Sequence, residues 1–347
     1  MTTSVTLKEA GLLTAVSGQT NTFIFQGEAG IGKSSMLPVV TDATGYEGRY
    51  IDCAMLDLGD LQMPSNQGEY IQFLPNKMFV SDEPIVVMLD EIGKAMRPVQ
   101  NALLTLLLEH RIGNYHLPDG SIVFGTTNMA TDGLGDVLQA HARNRVTFLT
   151  VSKPDSDQWL EWAINNDMSP EVMAWVKEYP HCLESYLDHG DNLSNLDNPY
   201  IFNPVKQMAA FVTPRSLAHA SHIIKHREAL NDSTLIAALA GTVGESAARD
   251  MEAFLAVADS LPKFSDITKD PDTAKVPESP LAAVVLVLGS VTRVDRKTID
   301  NFMQYLTRLP REVQFLFATN AMRSKAAAVV ATSKGFTRWA ADNSWAV

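Results

Sequence analysis

Gly27-Glu28-Ala29-Gly30-Ile31-Gly32-Lys33-Ser34 is a complete G-x-x-x-x-G-K-S run, placed directly after the β-prone segment 22–26 (TFIFQ) and before a helix-forming stretch. That setting suits a phosphate-binding loop. Glycines let the backbone curl around phosphate oxygens, so that amide N–H groups and the helix N-terminus point at negative charge. In that role Lys33 would reach the β- and γ-phosphates of a nucleotide, and the Ser34 hydroxyl would ligate Mg2+. The residues expected around the phosphates are Gly27, Glu28, Ala29, Gly30, Ile31, Gly32, Lys33, Ser34 and the following Ser35. The alternative is a glycine-rich turn that binds nothing, but a chance match to every fixed position in a chain this long is on the order of 1%.

Four more short segments, rich in β-branched or aromatic residues, read as strands: 50–53 (YIDC), 85–89 (IVVML), 122–125 (IVFG) and 146–151 (VTFLTV). Segments 85–89 and 122–125 are almost continuously apolar rather than alternating, which fits parallel strands covered by helices on both faces. Between them, 99–110 (VQNALLTLLLEH) is strongly helix-forming and 111–120 (RIGNYHLPDG) is a turn-rich return. Residues 1–151 therefore predict an α/β domain with a parallel five-stranded sheet flanked by helices. From 152 to 347 the periodicity becomes helical. Helices are expected over 155–165, 170–179, 215–230, 234–259, 281–288 and 297–306, with polar loops over 187–204 and 261–280.

Two further elements complete a candidate site. Strand 85–89 ends in Asp90-Glu91. An Asp at the carboxyl end of a neighbouring strand can hold Mg2+ through its water shell, and the Glu after it can orient and polarise an attacking water. Without the upstream loop, two such acids would read as a solvated helix start. Strand 122–125 runs into Thr126-Thr127-Asn128. A side-chain amide there, able both to donate and to accept, could hold the lytic water between the γ-phosphate and Glu91; a turn-capping Asn is the plainer alternative.

Arg143 and Arg145 stand just before the last strand and could reach a γ-phosphate bound by an adjacent subunit, or could form ion pairs within the chain. Arg215, in Thr213-Pro214-Arg215-Ser216, opens a helix of the second domain and could contact phosphate, or could sit in a surface ion pair. His219, His222 and His226 share a helix face but lack the flanking carboxylates of a metal site, so they read as helix surface. Trp159, Trp162 and Trp175 read as packing residues.

With GEAGIGKS, VVMLDEIGKA, FGTTN, ARNRV and TPRS in that order and spacing, the chain resembles the AAA+ ATPases, specifically the MoxR branch that includes the CbbQ and NorQ types. The resemblance covers nearly the whole chain, and 97–120 and 152–163 look particularly like this branch. It implies Walker A at 27–34, Walker B at Asp90 and Glu91, sensor 1 at Asn128, an arginine finger at Arg145 with Arg143 as its neighbour, and sensor 2 at Arg215. It also implies a sheet ordered 5-1-4-3-2, an all-α lid with a C-terminal helical extension, and ATP with Mg2+ as ligands. The assembly implied is a homo-oligomeric ring, commonly a hexamer, that remodels a protein client in the manner of a chaperone, with a von Willebrand A domain protein as partner. Two positions depart from the branch: Val146 follows the finger arginine where Phe is usual, and His141-Ala142 replace an apolar and small pair. Segment 60–79 stands where this branch carries a hairpin insert facing the ring pore, and Tyr70, Phe73 and Leu74 could grip a client there or pack as a loop.

Composition narrows the remaining classes. Apolar residues make up 46% and charged residues 20% of the 347, which places the chain among folded globular proteins. The formal charge of −12 offers no net basic field to gather phosphate backbone, so a nucleic-acid motor or loader is the lesser reading. A nucleotide-switched scaffold without turnover is disfavoured by the presence of Glu91. Cys53 and Cys182 have neither disulfide nor metal spacing and read as buried, reduced thiols. The most apolar run, 281–288, falls short of the ~20 residues that span a bilayer, and the N-terminus shows no secretion signal, so a cytoplasmic protein is expected.

Overall fold

The computed structural model describes residues 4–66, 70–129, 144–189, 196–206 and 208–343, and the chain divides into two compact units, Met1–Lys153 and Pro154–Val347.

In the first unit a parallel sheet is built from β1 (Ser4–Val5), β2 (Phe23–Gly27), β3 (Glu47–Asp52), β6 (Ile85–Asp90), β9 (Ile122–Asn128) and β10 (Thr147–Val151). Its order is β1-β10-β2-β9-β6-β3. The five longer strands, numbered among themselves, run 5-1-4-3-2, the order the resemblance implied. The two-residue β1 extends the expected five strands to six by pairing with β10 at the edge.

Alternation along each strand explains why the central ones read as unbroken apolar runs. Phe23, Phe25, Val86, Met88, Ile122 and Phe124 pack on one face with Ala10 of α1 (Leu7–Ser17) and with Met36 and Val40 of α2 (Met36–Thr44). Ile24, Val87, Leu89 and Val123 pack on the other face with Val99, Leu103, Leu106 and Leu107 of α4 (Arg97–Glu109). A strand covered on both faces has no polar side to show. The same period of two carries Asp90, Thr126 and Asn128 onto the α1/α2 face, beyond the last apolar residues of β6 and β9. Helix α1 is fixed by a capping box between Thr6 and Glu9, and α2 stops at Gly45, which is left-handed at φ 74°.

After β3 comes the short α3 (Leu58–Leu61), and then β4 (Gln62–Asn66) and β5 (Ile71–Pro75) form an antiparallel hairpin. A second hairpin, β7 (Arg111–Ile112) with β8 (Tyr115–His116), occupies the stretch the sequence presents as a turn-rich return. Gly113 turns it at φ 56°, and a Cβ there would stand 2.3 Å from Gln62 Oε1 and 3.1 Å from Phe73, so the two hairpins meet at this glycine.

The second unit is helical around a main apolar core that includes Trp159, Trp175, Phe302 and Phe317, with a smaller cluster of Tyr186, Leu196 and Ile201. Its helices are α5 (Ser156–Asn165), α6 (Pro170–Glu178), α7 (Pro214–Lys225), α8 (Asp232–Val243), α9 (Glu245–Asp259), α10 (Phe264–Lys269), α11 (Pro280–Val291), α12 (Ile299–Leu306), α13 (Arg311–Met322), α14 (Ala327–Ala331) and α15 (Lys334–Asp342). Three expectations are corrected. The single helix over 234–259 is two, parted at Gly244, whose φ of 90° and ψ of 156° no helix accommodates. The polar stretch 261–280 holds α10, anchored by the buried Ile267, and α13 to α15 follow where the sequence pattern gave no helix. Among the described residues no helix is long and apolar enough to cross a membrane. Both cysteines are buried free thiols.

Candidate active site

The loop after β2 takes the curl its glycines permit: Gly30 and Gly32 have φ of 76° and 97°, in the left-handed region. Gly27 is required for a different reason, since a Cβ there would come within 2.7 Å of the Ile31 side chain and 3.1 Å of the Val151 carbonyl on β10. Ile31 and Glu28 are buried, which ties the loop down from within. Lys33 opens a short 3-10 turn, Lys33–Ser35, that runs into α2, so Ser34 and Ser35 stand at the head of that helix.

The Lys33 side chain lies almost wholly inside the protein, 6% exposed. Its Nζ donates to the carbonyls of Gly27 at 3.0 Å and Glu28 at 2.9 Å, and to Asn128 Oδ1 at 2.7 Å. The other end of the same amide, Asn128 Nδ2, donates to Glu91 Oε1 at 3.2 Å. An ammonium can only donate and a carboxylate can only accept, so this orientation of the amide satisfies both neighbours. Loop, amide and acid are thereby joined in one hydrogen-bonded run, Lys33–Asn128–Glu91. Glu91 itself has a left-handed backbone, φ 54°, at the point where β6 gives way to a short 3-10 turn, Ile92–Lys94. Its second oxygen, Oε2, lies 2.5 Å from Lys94 Nζ.

Asp90 ends β6 almost buried and is held by three donors. Thr126 Oγ1 and the Glu91 amide, the latter at 3.1 Å, both reach Oδ1, while the Tyr50 hydroxyl reaches Oδ2 at 2.7 Å. Of the four lone-pair positions on a carboxylate, one on Oδ2 has no donor among the described residues. This fits a single contact through a metal's water shell, with Ser34 supplying a second hard oxygen of the kind Mg2+ takes. Among the described residues no cluster of three or more His, Cys, Asp or Glu offers a different metal site. Beside these acids the Cys53 thiol is pushed far up in pKa, first by burial and then by the charges of Asp90, Asp52 and Glu91, so it stays protonated.

The arginines are arranged differently. Arg145 is exposed on the turn before β10 and makes no ion pair among the described residues; Arg143 lies outside them. Arg215, also exposed and without an ion pair among the described residues, is in the second unit, in the first turn of α7 behind the Thr213 cap. His219, His222 and His226 are exposed on that helix and its end. Trp159 and Trp175 are core residues, whereas Trp162 is 41% exposed.

Three residues of the site are absent from the sequence-based set: Tyr50 and Thr126 on Asp90, and Lys94 on Glu91. Thr126 had a signal, two residues from Asn128 on one strand face. Lys94, three residues past Glu91, and Tyr50, opposite Met88 in the β3–β6 register and two residues short of the Asp52–Asp90 pair, are brought to the acids by the fold.

No protein-family model matches the chain, and no curated protein matches it. Among solved structures it is similar to NtrX from Brucella abortus in complex with ADP, at 12% identity and a TM-score of 0.42 over 100% of this chain and 70% of that one. It is also similar to a RuvB mutant from Thermotoga maritima, at 15% identity and a TM-score of 0.38 over 87% of this chain and 86% of that one. The α/β arrangement is carried by the chain's own strand order and by the loop that follows β2.

Proposed function

We propose that this chain is a Mg2+-dependent, AAA+-type ATPase of the MoxR kind, a cytoplasmic homo-oligomeric ring, commonly a hexamer, that converts hydrolysis into remodelling of a protein client with a von Willebrand A domain protein as partner. The observation that carries the reading is the run Lys33–Asn128–Glu91, because it links a loop built for phosphate to a carboxylate placed to act as base. With ATP in the loop, the Lys33 ammonium moves from Asn128 to the β- and γ-phosphate oxygens, and Asn128 Oδ1 becomes free to accept from water. The water oxygen bonds to the γ-phosphorus as the bond from that phosphorus to the bridging oxygen breaks, its electron pair leaving on ADP. The proton released by the water goes to Glu91. Bound Mg2+ would supply charge neutralisation at the phosphate oxygens, held by Ser34 and, through water, by Asp90.

Arg145 has the exposure a finger needs to reach the ATP of an adjacent copy, with Arg143 as its sequence neighbour, and Arg215 is the lid's phosphate contact. Tyr70, Phe73 and Leu74 are exposed on the β4–β5 hairpin, which suits contact with a client rather than packing within the chain. Lys33→Ala removes the one positive charge in the loop and should abolish ATP binding measured by calorimetry. Unchanged affinity in that variant would remove the loop from the function.

A further inference from the structure

We infer that Lys94 is a positioning residue that restrains Glu91, so that their ion pair has to open before Glu91 can take a proton from water; the inference rests on the ATPase reading above. Both oxygens of the Glu91 carboxylate are engaged, Oε1 by Asn128 at 3.2 Å and Oε2 by the Lys94 ammonium at 2.5 Å. One lone pair on each oxygen is thus taken, and a carboxylate held at both ends is not free to turn its two remaining lone pairs toward a water.

Lys94 is not a loose surface side chain that happens to fall nearby. Its turn is pinned by the buried residues on either side, Ile92 and Ala95, 1% and 6% exposed. The Lys94 amide donates to the Glu91 carbonyl at 2.8 Å, closing the turn, and Gln100 Nε2 reaches in from α4 to the Gly93 carbonyl at 3.1 Å. At the other end, the left-handed backbone of Glu91 fixes where its side chain starts. Two partners three residues apart on such a turn meet at little cost in chain entropy. The run therefore has a lysine at each end. Lys33 answers to phosphate through Asn128, while Lys94 holds the acid until it is released.

The test is Lys94→Met, which keeps the length of the stem and removes the charge. Steady-state hydrolysis of Mg-ATP by the full chain should show kcat raised about fivefold, equivalent to about 1 kcal/mol, with KM for ATP unchanged. Lys94→Arg keeps a cation in reach and should fall back toward the wild-type value. A residue that only braces the fold would lower kcat on removal, so a lowered or unchanged kcat in Lys94→Met overturns the restraint. A double-mutant cycle of Lys94→Met with Glu91→Gln, read by urea unfolding without nucleotide, measures the pair independently of turnover. Non-additive effects on the unfolding equilibrium support the pair, and additive ones overturn it. Absence of hydrolysis in the wild type would instead overturn the ATPase reading, and the unfolding cycle would then still decide for or against the Lys94–Glu91 pair.

Discussion

Asn128 is the residue on which the site turns, because one amide serves two neighbours of opposite need. Its Oδ1 accepts from Lys33 and its Nδ2 donates to Glu91, and it is itself 6% exposed, so the contact with Lys33 is made away from bulk water. Asn128→Ala removes both at once while leaving the glycine loop and the Lys33 charge in place. Hydrolysis should fall about 10²-fold, the scale of losing one positioned group, with ATP affinity within a few-fold of the wild type. Stopped-flow binding alongside steady-state turnover separates the two, and equal losses in both would make Asn128 a structural residue only. At this scale the sequence was informative wherever a residue type has few uses, as with a glycine-rich loop before Lys33 or paired acids after an apolar strand. It was silent on Tyr50 and Lys94, since a strand tyrosine and a lysine on a helical turn are common. Only the register opposite Met88 and the short turn after Glu91 bring them to the two acids.

At the scale of elements, apolar runs and turn residues made the parallel sheet legible, and periodicity carried the helices up to Leu306. What failed was punctuation. Gly244 reads as one small residue inside a long helical pattern, yet its backbone lies in a region only glycine occupies, and a Cβ there would meet the Ala210 carbonyl at 3.0 Å. The break between α8 and α9 is thus written in one conformation that sequence periodicity does not register. Gly244→Ala should destabilise the second unit by about 1–3 kcal/mol in urea unfolding. A neutral or stabilising effect would mean the break does not depend on this glycine. Helix α10 was hidden by its composition: within a polar stretch only Ile267 is buried, with Phe264 packed partly against the core, too little for a periodic signal, and α15 buries only Phe336 and Trp339 behind the Ser333 and Gly335 contacts to Asp300.

At the scale of the whole molecule, the proposed ring would complete each site with an arginine from a second copy. Arg145 is exposed and makes no ion pair among the described residues, which leaves its guanidinium available to a phosphate on an adjacent subunit. Arg145→Ala should bind ATP nearly normally yet lose about 10³-fold in turnover. Mixed with Glu91→Gln subunits under confirmed exchange, it should recover hydrolysis, because some sites then combine an intact arginine from one chain with an intact acid from another. No recovery would make Arg145 an intrachain residue. Glu91 acting as base beside the phosphate loop is the centre of the proposed mechanism. The measurement that tests this most directly is single-turnover hydrolysis of Mg-ATP by Glu91→Gln at saturating nucleotide, with the dissociation constant determined on the same sample. The account predicts binding close to the wild type and hydrolysis reduced by about 10²-fold or more, since the amide fills the same space without accepting the proton. Wild-type hydrolysis in that variant would contradict it.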